Sequence, residues 1–168
     1  HAHRPLGPDT IQHRFDQLTL PTARLLLRPL RHEDAHALFG VFSDPQVMRY
    51  WSSTPWTGVE RARKMIGEDL AAMARGEYIR LGLEMREGNE IVGTCTLFDF
   101  APQCRRAELG YALKSTSWGR GYMHEALAAL LGHGFAALDL NRVEADVDPR
   151  NLASTRSLVR LGFRKEGH

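Results

Sequence analysis

Two glycines one residue apart, in Trp118-Gly119-Arg120-Gly121-Tyr122-Met123, stand between a strand-like run and the start of an apolar helical run. Glycine lets the backbone approach a ligand and aim several N–H groups at it, and the helix start adds the positive end of its dipole, so the expected guest is an anion. No Gly-Lys-Ser/Thr follows, which excludes a Walker loop, and the third glycine of a dinucleotide fingerprint is missing. Glycines that only permit a tight turn would give the same spacing. Asn151-Leu152-Ala153-Ser154-Thr155 opens a later helix, where Asn151 can cap and Ser154 can fill the first turn, or where an amide and a hydroxyl can steer or protonate a ligand. Glu108 lies in a strand among largely apolar neighbours. Half-buried there, its carboxyl would be raised toward neutrality and suited to accept a proton, whereas on a solvent face it would be an ordinary surface glutamate. Trp51, Trp56 and Phe98 can line a pocket or serve the core. His32 and His36 are four apart on a helical run with no third ligand nearby, so no metal site is expected. Arg24, Arg28 and Arg31 read as a solvated face.

These residues need a scaffold, and the pattern of the chain supplies one. Residues 1–20 hold Pro5, Gly7 and Pro8 without a sustained period and read as an N-terminal arm, with one domain over 21–168. A strand is predicted over 24–28 and a short helix over 31–39, ended by Gly40 and the Asp44-Pro45 turn. Thr57-Gly58-Val59-Glu60 has the form of a capping box, opening a helix that runs to Gly76. From Tyr78 the period becomes two, with Ile79, Leu81, Leu83 and Met85 on one face and Arg80, Gly82 and Glu84 on the other. Strands over 91–98 and 106–113 complete an antiparallel meander. The glycine loop then leads into a helix, followed by a strand over 143–147, a helix from Asn151 to Leu161 and Gly162, and a last strand beginning near Phe163.

The 168 residues, 43% hydrophobic with 8 Pro, suit one compact domain and argue against a disordered or fibrous chain. At this length about 70% of the unfolded surface is buried on folding, enough for a core without disulfides or metal. Cys95 and Cys104 lack metal-ligand spacing and read as reduced thiols. The net charge is +2 with both signs interspersed, so there is no basic stripe for nucleic acid. Apolar runs fall short of the roughly 18 to 20 residues of a membrane span, and the cytoplasm is the expected compartment.

Together, the order of elements and several segments resemble the GNAT N-acetyltransferase superfamily and, within it, the branch of ribosomal-protein N-terminal (alanine or serine) acetyltransferases. Arg24-Leu25-Leu26-Leu27-Arg28-Pro29-Leu30 looks like its opening strand, Asp44-Pro45 with Met48-Arg49-Tyr50-Trp51 like its substrate-side loop, and Ala107-Glu108-Leu109-Gly110-Tyr111 like its central strand. Asn151-Leu152-Ala153-Ser154 through Leu161-Gly162-Phe163 looks like its closing signature. In the wider superfamily the acyl-CoA loop reads Gln/Arg-x-x-Gly-x-Gly/Ala. Trp118 and Met123 depart from that pattern, so the resemblance implies binding through the backbone of Gly119, Arg120, Gly121, Tyr122 and Met123.

The implied fold is α/β of the α+β type: a central mixed, mostly antiparallel twisted sheet with helices on both faces. Related proteins carry a further strand beyond the point where this sequence stops, so the domain is expected to lack its final strand. The implied co-substrate is acetyl-CoA, without a metal, and the acceptor is a primary amine on a protein N-terminus or a small molecule. Pantetheine would pair with Tyr111, Ala112 and Leu113 where that strand splays from the next. By the same resemblance Glu108 is the general base, Ser154 the donor to the departing thiolate and Asn151 a holder of the pantetheine arm. Trp51, Trp56 and Phe98 would form the acceptor pocket. A monomer or homodimer is expected. A non-catalytic acyl-CoA-binding or sensing module on the same fold is the competing reading.

Overall fold

The computed structural model describes residues 14–51, 53–101, 103, 105–148 and 150–164. The arm before residue 14, the Cys104 thiol and the last four residues lie outside the described residues. Six strands follow one another across a single sheet: β1 (Leu20–Pro21), β2 (Leu25–Arg28), β3 (Ile79–Met85), β4 (Ile91–Ala101), β5 (Arg106–Leu113) and β6 (Arg142–Ala145). All neighbours are antiparallel except β5 and β6, which are parallel. Four α-helices accompany them: α1 (Ala35–Phe42), α2 (Glu60–Ala74), α3 (Tyr122–Ala137) and α4 (Leu152–Arg160).

The strand alternation decides which side chains meet which helices. Leu81 pairs with Cys95 and Cys95 with Tyr111, while Ile79 pairs with Leu97 and Leu97 with Leu109. That face packs on Met123, Leu127 and Leu130 of α3 and Leu158 of α4. The second core lies against α1 and α2, where Leu38, Val41, Phe42 and Ile66 meet Ile91 and Ala112. A mixed sheet covered by helices on both faces results, as expected. Full burial of each large aliphatic side chain is worth about 1.5–3 kcal/mol, so both cores contribute substantially. Burial also pushes the Cys95 thiol up to about 12, leaving it an inert core residue.

Several expectations are corrected. Thr57 does not cap α2: Val59 is the N-cap residue with no side-chain cap, and the carbonyls of Gly58 and Val59 accept from Arg61 and Ala62 instead. The helix expected over 31–39 divides into a 3-10 turn at His32–Asp34 and α1, which continues past Gly40 to Phe42. The break arises because the Asp34 carboxylate turns back to accept from the Arg31 backbone N–H at 2.7 Å and from Arg28. Arg28 is no solvated residue. It is 4% exposed, hydrogen-bonded to Asp34 at 2.8 and 3.1 Å and ion-paired with Glu84. β6 ends at Ala145, and Phe163 and Arg164 belong to no strand. Gly76 does end α2, at φ +75°. Among the described residues no helix is long and apolar enough to cross a membrane.

Candidate active site

The site grows from a mismatch in strand length. β6 pairs with β5 only from Arg106 to Leu109, while β5 runs on to Leu113. The Lys114 N–H donates to the Val92 carbonyl at 2.8 Å, on the β4 side. Peptide groups alternate along a strand, so those of Ala112 point to β4 and those of Tyr111 and Leu113 point to the side β6 has left. This edge is the kind of surface on which an extended ligand can pair as an added strand.

At the end of that edge the chain enters the glycine loop. Gly119 and Gly121 both have φ +81°, a left-handed conformation that favours glycine, and Gly121 is the N-cap residue of α3. The first hydrogen bond of α3 runs from the Glu125 N–H to the Gly121 carbonyl at 3.1 Å. The N–H groups of Gly121, Tyr122, Met123 and His124 therefore precede the helical ladder and face the helix start, where an anion is favoured. Trp118 has a role that its side chain did not announce: its indole Nε1 donates to the Leu113 carbonyl at 2.8 Å, tying the loop to the end of β5.

On the α3 and α4 face, Tyr111 brings a polar atom into the core. Its hydroxyl is buried and has no hydrogen-bond partner among the described residues. Burial pushes this phenol up, opposed by the Ser154 hydroxyl beside it. Asn151 acts as the cap of α4, its Oδ1 accepting from the Ser154 N–H at 3.2 Å. Capping thus accounts for the side-chain oxygen of Asn151, and it holds Ser154 in the first turn, against Tyr111.

On the opposite face lies a cavity of about 1520 Å³ between α2 and strands β3 to β5. It collects Trp51, Trp56 and Phe98, the three aromatics singled out by sequence, in one lining. Phe42 organises two of them: Trp56 stacks on it at 4.7 Å and Trp51 meets it edge-on at 5.2 Å. Phe98 pairs with Glu108 across β4 and β5, so Glu108 shares the cavity face. Asp99, another lining residue, has φ +53° at the β4 irregularity. The Asp99 carboxyl beside Glu108 holds the Glu108 carboxyl above the usual range; burial and the Glu144 charge add to this, and Arg106 opposes it. Glu144 is the partner of Glu108 in the β5–β6 register.

The site also contains residues that sequence reasoning missed. Arg80 lines the cavity, donating from Nη1 to Asp69 at 2.8 Å and from Nε to Thr96 at 3.2 Å, while Tyr78 donates to the same buried Asp69. The alternation that set Arg80 opposite Leu81 was the available signal. It needed the knowledge that both faces of β3 are covered. Among the described residues no group of three or more His, Cys, Asp and Glu is placed to hold a metal ion. A free strand edge, a glycine loop with free amides and an orphaned Tyr111 hydroxyl fit a long ligand with a strand-like arm and an anionic end.

Comparison with known proteins gives a consistent result. The model of the acetyltransferase (GNAT) domain matches residues 24–164. An uncharacterized N-acetyltransferase of Bacillus licheniformis, p20, is 41% identical over 149 residues, spanning 89% of this chain and 84% of its own. The [ribosomal protein uS5]-alanine N-acetyltransferase of Escherichia coli is 28% identical over 160 residues, spanning 90% of this chain and 81% of its own. The crystal structure of a GNAT-family acetyltransferase from Bacillus anthracis matches with a TM-score of 0.79 at 26% identity, covering 89% of this chain and 86% of that one.

Proposed function

Given that the chain belongs to the acetyltransferase (GNAT) family, as an acetyl-CoA-dependent N-acetyltransferase, we propose that it moves the acetyl group directly to a primary amine, on a protein N-terminus or a small molecule, with both substrates bound at once. The observation that carries this reading is the open edge of β5, which has the glycine loop at its end and, on one face, the aromatic cavity, with Glu108 on that same face beside Phe98. Acetyl-CoA supplies an activated acetyl group as a thioester. The rest is the work of the protein.

The amides of Gly119, Arg120, Gly121, Tyr122 and Met123 receive the pyrophosphate, aided by the α3 dipole. Ala112, whose peptide groups face β4, is left out of this contact: the backbone groups of Tyr111 and the Leu113 N–H align the pantetheine arm on the open edge, and Asn151 steadies it from the α4 side. Trp51, Trp56 and Phe98 hold the acceptor, whose nitrogen must be neutral to attack. Glu108 accepts the proton that this nitrogen loses, directly or through a water. The Ser154 hydroxyl donates to the sulfur as the C–S bond breaks, then regains a proton from solvent. A raised Glu108 carboxyl is a stronger base than an ordinary glutamate, which suits the first transfer. The cytoplasm is the compartment consistent with this chemistry.

The reading is tested by thermal unfolding with millimolar acetyl-CoA and, separately, the same concentration of ATP. A ligand present at about 100 times its dissociation constant adds about 2.7 kcal/mol, a shift of several degrees in a domain of this size. A rise with acetyl-CoA and not with ATP is expected. Equal effects of the two would reduce the loop to a generic anion site.

A further inference from the structure

The turn joining β1 to β2 reaches across to the first turn of α3. Glu125 accepts three hydrogen bonds from it: from the Thr22 hydroxyl at 2.5 Å, the Arg24 backbone N–H at 2.7 Å and Arg24 Nε at 2.8 Å. The same guanidinium donates from Nη1 to the Arg120 carbonyl at 2.8 Å, the peptide oxygen between the two loop glycines. It also lies 4.5 Å from the centre of the Tyr122 ring. Its Nη2 is so close to the loop that a Cβ at Gly121 would sit 3.4 Å from it. Sequence patterning gave Arg24 to a solvated face, yet every one of these contacts converges on residues 120–125.

Two glycines with left-handed φ make the loop permissive, and a permissive loop loses conformational freedom when a ligand orders it. A guanidinium that fixes the carbonyl between them, and is itself fixed by a carboxylate on α3, removes part of that cost before the ligand arrives. We propose that Arg24, held by Glu125, is a positioning residue that presets the glycine-loop backbone for the pyrophosphate end of acetyl-CoA. The inference rests on the acetyltransferase reading for the identity of the ligand, while the strut itself is independent of it. Occupation of the loop is thereby coupled to the β1–β2 turn.

The test compares Arg24→Met, Arg24→Lys and Glu125→Gln with the wild-type protein in two measurements. Loss of a charge-assisted hydrogen bond of about 1.5 kcal/mol corresponds to about tenfold in affinity. The dissociation constant for acetyl-CoA is therefore expected to rise about tenfold in Arg24→Met and to recover in part in Arg24→Lys. That for S-acetylpantetheine, which has the arm without the pyrophosphate, is expected to stay unchanged. In ligand-free protein, hydrogen exchange at the amides of residues 119–125 is expected to quicken in Arg24→Met and in Glu125→Gln. Equal weakening of both ligands, or loop exchange unchanged in Arg24→Met, would overturn the proposal and leave Arg24 a general stabiliser of the fold. Faster loop exchange in a protein whose wild type binds no acetyl-CoA would support the strut and count against the acetyltransferase reading instead.

Discussion

Glu108 owes its chemistry to its neighbours. Asp99 beside it and Glu144 opposite it both disfavour a third negative charge, so the Glu108 carboxyl ionises at higher pH than an ordinary glutamate. In the proposed role of base it would work only when ionised, so activity is expected to fall as pH drops through its raised value. Replacing Asp99 with Asn removes the largest cause of that rise, so the acid limb of kcat/KM is expected to move to lower pH; an unmoved limb would take Glu108 out of the titration. Glu108→Gln is expected to lower kcat/KM by about 10²–10⁴, the usual worth of a positioned base, with acetyl-CoA affinity retained. Sequence showed Glu108 in a strand but not which face it takes, because one step of register moves every side chain across the sheet. Its pairing with Phe98 supplies that fact. The Asp99 carboxyl was invisible for a different reason: only the irregularity in β4 between Phe98 and Ala101 brings it beside Glu108.

Strands and helices were easier to read than the joints between them. Alternation from Ile79 onward located β3, and the apolar run after Met123 located α3, since both patterns are long and regular. The capping motif at Thr57 failed because backbone carbonyls of the preceding turn do the same work. Of the arginines near β2, Arg24 and Arg31 are exposed as expected, but Arg28 is buried, because alternation says which residues share a face and not whether a helix covers it. Arg28 illustrates the cost of that gap, being the hub of a buried network linking β2, β3 and the turn before α1. The Arg28 hydrogen bond holds Glu84 below the ordinary carboxylate range. At Asp34 burial pushes upward, but hydrogen bonds from Arg28 and the Arg31 backbone outweigh it and the carboxyl again lies low. Groups depressed in the folded state add stability that is full above their unfolded values and is lost as pH falls through the folded ones. The wild-type Tm should therefore hold down to about pH 4 and then drop. Arg28→Met leaves two buried carboxylates without their cation, with an expected loss of about 3–5 kcal/mol at pH 7 and a deficit relative to wild type that shrinks as these carboxyls protonate at acid pH. Thermal scans between neutral and acid pH check both; a variant with wild-type stability at pH 7 would remove the network from the account.

Seen entire, the molecule divides its labour between the two faces of one sheet. α3 and α4 bring the glycine loop, Ser154 and Tyr111 to one side, while α1 and α2 flank the aromatic cavity on the other, the face that Glu108 shares with Phe98. The two meet at the short stretch of β5 that β6 leaves unpaired. The family resemblance was carried by whole-chain order and by segments such as residues 107–111 and 151–154, and family membership followed from the match over residues 24–164. The cavity's partners Arg80, Tyr78 and Asp69 could not be read that way, since they come together only when α2 folds onto β3 and β4. In the proposed reading this cavity takes the acceptor, and a direct transfer has one signature: free thiol should appear from acetyl-CoA only when an amine is present. The most direct measurement is thiol release from acetyl-CoA, followed with a chromogenic disulfide across a panel of N-terminal peptides and small amines, with acetylated product identified by mass. Release that depends on the amine, matches acetylated product one for one and falls in Ser154→Ala while acetyl-CoA binding persists is the predicted result. Acetyl-CoA binding with no amine-dependent release by any member of the panel would contradict the account and favour a sensing module.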